Sequence, residues 1–315
     1  MRRTLRVSAA AVAGALTVTL TAAVLVGVSG SGTATMAAAT SVSPSAVRPG
    51  YPFLPAGAGE SASPAFASAL TANSVLTATS TNWAGYAASY GTTTFRSVSA
   101  HFTVPYLDCK GVTATNGAWS SHWVGLDGLT SLTVEQTGVD ARCDGGSPIY
   151  EAWWEMFPNG MHLVSIAVHP GNAINMSVNY SSSTHAFTLT LSNTTTGQKF
   201  THKASCPSGS TCVRNSAEVI SEAPALTSGG GFTIMPLADF QAVNFANVHI
   251  TNTSGTHSGG LQSAFWNTYR ITQVSDGSSQ DITGQAIAPG TALDRTTPLY
   301  RKNAFLDYWM PANAG

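Results

Sequence analysis

From residue 79 onward, no stretch of ten or more residues repeats its apolar positions at the 3.6-residue interval of a helix. What repeats is alternation over short runs. Phe95 to Val104 is one such run and stops at Pro105; Tyr150 to Phe157 is another, closed by Pro158-Asn159-Gly160. Leu163 to Val168, Ala173 to Tyr180, Phe187 to Ser192, Lys199 to Lys203, Ala217 to Ile220, Val243 to Thr251 and Phe265 to Val274 continue the pattern, with Gly, Asn or Ser between many of them. Short strands broken by turn residues specify an all-β domain. The expected form is a sandwich or barrel. In the first run, Phe95, Ser97 and Ser99 are expected on one face and Val98, Ala100, Phe102 and Val104 on the other. Residues 292–315 are less regular and read as a possible packed extension.

The chain opens Met1-Arg2-Arg3-Thr4-Leu5-Arg6, runs apolar from Val7 to Val28, and then turns to small residues such as Ala37-Ala38-Ala39. Charge, apolar run and small-residue exit predict an export signal over 1–39, with a membrane anchor as the alternative. Residues 40–78 are mostly Ala, Ser, Pro and Gly and cannot bury a core of their own, which predicts a propeptide or linker. Residues 79–315 are then one domain, secreted and extracellular, with no membrane in the mature form. Only 9% of residues are charged, against a usual ~25%. The formal net charge of -1 gives no reason to expect a nucleic-acid partner. Few carboxylates also means few ion pairs to lose in acid.

In an exported chain, the four cysteines predict two disulfides. Three connectivities are possible; Cys109–Cys143 with Cys206–Cys212 is preferred. On loop entropy these contribute roughly 4 and roughly 2 kcal/mol. There is no C-x-x-C and no H-E-x-x-H, and the eight histidines show no ligand spacing, so neither metal nor cofactor is expected.

Other chemistry is excluded by missing motifs. No G-x-S-x-G elbow, Asp-Thr-Gly, Asp-Ser-Gly or phosphate loop occurs. With acids scarce, each carboxylate within an apolar strand is informative. Glu151, Trp153 and Glu155 fall on one face of their strand, and Glu218, Ile220 and Glu222 on one face of theirs. A carboxylate beside tryptophans has its pKa raised by desolvation, which suits acid/base work. The same pairing also suits sugar binding, and spacing alone does not choose. The stretch Trp123-Val124-Gly125-Leu126-Asp127 puts a Trp, a Gly and an Asp on alternate positions, a poor core face and a plausible cleft wall.

Seven segments in order resemble the glutamic peptidases, or eqolisins. They are Ser80-Thr-Asn-Trp83-Ala-Gly85, Phe102-Thr-Val-Pro105, Trp123-Val-Gly-Leu-Asp127-Gly128, Gln136-Thr-Gly-Val-Asp140, Tyr150-Glu-Ala-Trp153-Trp-Glu155-Met-Phe-Pro158, Asn215-Ser-Ala-Glu218 and Pro236-Leu-Ala-Asp-Phe240. The resemblance implies a secreted acid endopeptidase acting on protein or peptide substrates, expected as a monomer. It also implies a sandwich of two antiparallel sheets, similar to the lectin-like jelly roll of concanavalin. It assigns catalysis to Gln136 and Glu218, Glu218 as general base and Gln136 as stabiliser of the oxyanion. It places Trp83, Trp123, Asp127, Trp153 and Glu155 along the cleft. The chain departs from the family pattern at Val219, where a Trp often follows the glutamate, and at Glu151, where the family has Asp.

Two other readings compete on the residues alone. One is a noncatalytic carbohydrate-binding sandwich that stacks sugars on Trp83, Trp123 and Trp153. The other is a retaining glycosidase, whose two carboxyls must lie ~5–5.5 Å apart. Glu151 and Glu155 are roughly 13 Å apart along a strand and fail that test; Glu155 with Glu218 is the pair left to measure.

Overall fold

A computed structural model of the chain describes residues 47–48, 74–112, 117–228, 231–253 and 257–312. The expected export signal over 1–39 lies outside the described residues, as does most of 40–78.

Strands make up the regular structure, and no helix occurs among the described residues. In chain order they are β1 (Val47–Arg48), β2 (Val75–Ser80), β3 (Trp83–Ser89), β4 (Phe95–Thr103), β5 (Ala118–Leu126), β6 (Val134–Asp144), β7 (Ser147–Phe157), β8 (His162–Val164), β9 (Ala173–Ser181) and β10 (Ala186–Asn193). There follow β11 (Gln198–Ser205), β12 (Ser216–Glu222), β13 (Ala225–Ser228), β14 (Gly231–Ile234), β15 (Ala242–Asn252), β16 (Ser258–Gly259), β17 (Asn267–Val274), β18 (Ala292–Thr296) and β19 (Phe305–Trp309).

The chain is all-β, as expected. Its hydrogen bonding draws one 16-stranded sheet rather than two separate ones, along β11-β10-β9-β4-β15-β19-β18-β17-β3-β12-β5-β6-β7-β8. The pairing is antiparallel except where β2 lies parallel to β17. The two halves of this path face each other across the main core. Val98, Phe102, Ile174, Val178 and Leu189 from the first half belong to one buried cluster with Val124, Val139, Met156 and Val219 from the second. Burying each such side chain is worth ~1.5–3 kcal/mol, which is what holds the halves together in a chain this poor in ion pairs. A second, smaller three-stranded sheet joins β1, β13 and β14.

Four features differ from the sequence expectation. Phe95 is fully buried with Val98 and Phe102 rather than facing away from them. The cause is a register shift between β4 and β15, where Ser97 pairs with Thr251 but Phe95 with Asn252, so Arg96 is the extra residue of a bulge. The eighth strand ends at Val164, where the Ile166 N–H bonds back to the Val164 carbonyl and turns the chain. Strand β2 crosses the boundary drawn at residue 78; Leu76 and Ala78 pack against the aromatic cluster on the outer face. Finally, the chain from 292 to 309 is more than a packed extension. Strands β18 and β19 sit inside the sheet, between β17 and β15.

Both disulfides have the preferred connectivity. Cys109–Cys143 ties the segment before β5 to the end of β6, and Cys206–Cys212 closes the loop between β11 and β12.

Candidate active site

The half-sheet β17-β3-β12-β5-β6-β7 turns one face to the main core and the other away from it. Direct cross-strand partners share a face, so the register decides which side chains meet. Glu218 of β12 pairs with Gly125 of β5, and Gly125 pairs with Gln136 of β6. On the far side Gln136 pairs with Glu155 of β7, and Glu218 with Ala87 of β3, which pairs in turn with Tyr269 of β17. One row therefore reads Tyr269, Ala87, Glu218, Gly125, Gln136, Glu155. All lie on the face away from the main core, where Trp83, Trp123, Trp153, Ile220 and Ile271 form their own buried cluster.

Strand spacing puts the Gln136 and Glu218 backbones about 10 Å apart. Between them stands a residue with no side chain. A Cβ on Gly125 would sit 2.8 Å from the Trp123 ring and 3.3 Å from the Gln136 Cβ. The Trp123 ring packs close over Gly125, and no side chain of residue 125 stands between the carboxyl and the amide.

The partners of each side chain differ. The Gln136 amide donates from Nε2 to Glu155 Oε2 at 2.9 Å. Neither Glu218 oxygen makes a hydrogen bond of normal geometry among the described residues. Both Gln136 and Glu218 are fully buried here, so the face is closed over the pair. Burial pushes the Glu218 carboxyl well above its ordinary range, and the nearby Asp127 and Glu135 charges add to the shift.

Asp127 stands just past the end of β5, in the left-handed region at φ 70°. That turn takes it out of the Trp123–Gly125 alternation and aims its carboxylate at the segment leading into β12. Oδ2 accepts from the Arg214 N–H at 2.7 Å and Oδ1 from the Asn215 N–H at 3.0 Å; the Thr133 hydroxyl donates to Oδ2 at 3.3 Å. Its own N–H bonds to the Ser216 carbonyl at 3.1 Å. Asp127 therefore fastens the start of β12, two residues before Glu218.

The tryptophans brace the face and are not presented as platforms. Trp83 and Trp123 meet edge to face with centroids 5.1 Å apart, and the Trp123 indole donates to Glu222 Oε2 at 2.8 Å. Trp83, Trp123 and Trp153 are all fully buried. The sugar-stacking reading needs exposed rings and is corrected on that ground. The glycosidase pair fares no better: Glu155 and Glu218 are three strands apart, about 14 Å between backbones, with Gln136 standing between them.

Sequence reasoning singled out Gln136, Glu155 and Glu218, and the row brings them together. It gave no role to Glu135, Asp140, Glu222 or Ala87. Asp140 pairs with Ser121 and with Glu151, which is in an ion pair with Arg142; burial raises the Asp140 carboxyl to about 7. A signal for Glu135 was present in its position next to Gln136, an acid in a fully buried stretch of strand. Among the described residues no group of three or more His, Cys, Asp or Glu side chains is arranged to hold a metal ion.

A search of known families sets this geometry in context: residues 81–290 match the Peptidase A4 family. This chain belongs to that family. It is 31% identical over 195 residues to aspergillopepsin-2 of Aspergillus niger, an alignment spanning 56% of this chain and 66% of that relative. It is 34% identical over 202 residues to scytalidopepsin B of Scytalidium lignicola, spanning 62% of this chain and 71% of that one. Its fold is similar to a crystal structure of scytalido-glutamic peptidase bound to a peptide-based transition-state analogue. That similarity has a TM-score of 0.57 at 27% identity and covers 73% of this chain and 98% of the other. As a Peptidase A4 member the chain is a peptide hydrolase of the glutamic type.

Proposed function

We propose that this peptidase is a secreted acid endopeptidase whose chemistry is carried by Glu218 and Gln136. The observation that supports it most directly is the register: a carboxyl and an amide on one face, separated only by Gly125. Once the groove opens, water replaces the apolar surroundings of Glu218 and its pKa falls toward the ordinary carboxylate range. An ionised Glu218 then takes a proton from a water between it and the Gln136 amide as that water attacks the peptide carbonyl. It returns the proton to the leaving amine. The amide of Gln136 cannot act as a base, but it keeps its donors at any working pH. One N–H held by Glu155 fixes its orientation; the other is assigned to the oxyanion. A preset donor of this kind is typically worth ~2.7–4 kcal/mol.

The closed face is read as a latent form, and the 40–78 segment as a propeptide. Strand β1 falls in that segment and pairs with β13, which begins three residues after β12 ends. The disulfides fit an exported protein.

The deciding experiment is digestion of casein between pH 2 and 7 by the wild-type protein, by Glu218→Gln and by Gln136→Ala. Both substitutions are expected to abolish hydrolysis while circular dichroism stays native. Near wild-type activity in either one refutes the assignment. A pepstatin-type inhibitor, shaped for a pair of aspartates, is expected to leave activity unchanged.

A further inference from the structure

Glu135 is fully buried, and neither of its oxygens makes a hydrogen bond of normal geometry among the described residues. It pairs across the sheet with Leu126, one residue before Asp127, and shares a strand face with Thr133, whose hydroxyl donates to Asp127. The charged or titratable groups acting on it are Asp127 in the turn after β5 and Arg214 ahead of β12; Glu135 in turn acts on Glu218 of β12. These three carboxyls are unequally supported. Asp127 accepts from two backbone N–H groups and one hydroxyl, which offset part of the burial that raises its own carboxyl, so of the two it is the better able to carry a charge. Glu135 has no backbone donor: the side chains within its reach are the Thr133 hydroxyl, already given to Asp127, and the Asp127 carboxyl itself, which it can meet only while one of the two acids carries a proton. Burial, then the Asp127 charge, push its carboxyl well above the usual range.

We propose that Glu135 is a positioning residue that keeps its proton beside Asp127 at acid pH and, on losing it, sets the alkaline limit of the reaction. The proposal rests on the Gln136/Glu218 reading. An ionised Glu135 places a second negative charge against Asp127. The cation acting on it is Arg214, whose guanidinium lies over the Tyr180 ring at 3.6 Å. The repulsion loosens the hold of Asp127 on the Arg214 and Asn215 backbone, which is the segment that delivers Glu218 to the row. It also adds a like charge acting on Glu218 itself. Glu135 touches no substrate in this scheme; it acts through Asp127.

The test is the pH profile of kcat/KM on a peptide for the wild-type protein and Glu135→Gln, read only where tryptophan fluorescence shows both folded. Glu135→Gln cannot ionise. Its descending alkaline limb is expected to move up by about one pH unit, with acid-side activity kept and the change carried by kcat rather than KM. A limb that coincides with the wild type overturns the proposal. If Glu135→Gln does not fold, Glu135→Met serves, since it is also neutral and of similar length. A second readout needs no activity. The infrared difference between the wild type and the variant at a pH on the acid side of the limb should show the carbonyl stretch of one protonated carboxyl, and its absence overturns the proposal as well. A wild-type protein inactive at every pH overturns the dyad reading instead, and the infrared difference still decides whether Glu135 holds a proton.

Discussion

Gly125 is the residue on which the row depends. Any side chain there meets the Trp123 ring and the Gln136 Cβ and so displaces the amide. Gly125→Ala should therefore lower kcat/KM on a peptide by about 10²-fold, the usual cost of displacing reacting groups by about an ångström. Its melting temperature should change far less; a variant that turns over peptide as the wild type does would show that the spacing at residue 125 plays no part in the chemistry. The alternation of β7 was readable in advance: Glu151, Trp153 and Glu155 do share a face. That of β6, where Gln136, Gly138 and Asp140 share a face, was blurred by buried residues on both sides of the strand. What alternation did not reveal is which strand lies between Glu218 and Gln136. That is fixed by pairing between residues about 90 positions apart, and no local pattern encodes it.

At the scale of elements, β12 is held at its start by Asp127 and flanked along its length by β3 and β5. Removing the Asp127 carboxylate leaves the Arg214 and Asn215 N–H groups without their acceptor. Asp127→Ala should cost about 2–3 kcal/mol in urea unfolding, with activity falling more steeply than stability because Glu218 loses its anchor. Equal losses in both would make Asp127 a general structural residue. The two disulfides should separate by loop length. Replacing Cys109 and Cys143 with alanine should cost about 4 kcal/mol, and the Cys206–Cys212 pair about 2 kcal/mol. Element existence was legible wherever a run alternated cleanly. It was not legible at Phe95, because a bulge reverses the faces on either side of Arg96 and leaves no mark in composition. Nor was it legible at β2. Val75-Leu-Thr-Ala-Thr-Ser is rich enough in β-branched residues to form a strand, but it sits beside an Ala/Ser/Pro stretch whose composition masks it.

For the molecule as a whole, the buried acids decide how stability varies with pH. Burial raises Asp140 and Asp307 to about 7 and raises Glu135, Glu218 and Asp294 as well. A carboxyl whose folded pKa is raised contributes stability in full below its unfolded value, ~4, and loses it as pH rises through the folded value. His122 acts in the opposite sense. Its ring is buried, which lowers its pKa to about 3, so it costs stability as pH falls below ~6.5. Asp127 and Asp239 are raised as well, while Asp276 and Asp281, lowered by hydroxyl and backbone donors, act with the histidine; the raised carboxyls outnumber these three groups. Urea midpoints should be highest in the acid range and fall steadily between about pH 4 and pH 8; a flat or rising curve would contradict this reading of the interior.

The placement of β18 and β19 carries a practical consequence for anyone trimming this protein. The family match stops at residue 290, and every residue of the row lies before it, so a shortened version ending there looks sufficient on paper. Such a fragment would lack the two strands that bridge β15 and β17, leaving two long bare edges ready to zip onto a neighbour. It should precipitate or form fibrils instead of cutting peptides.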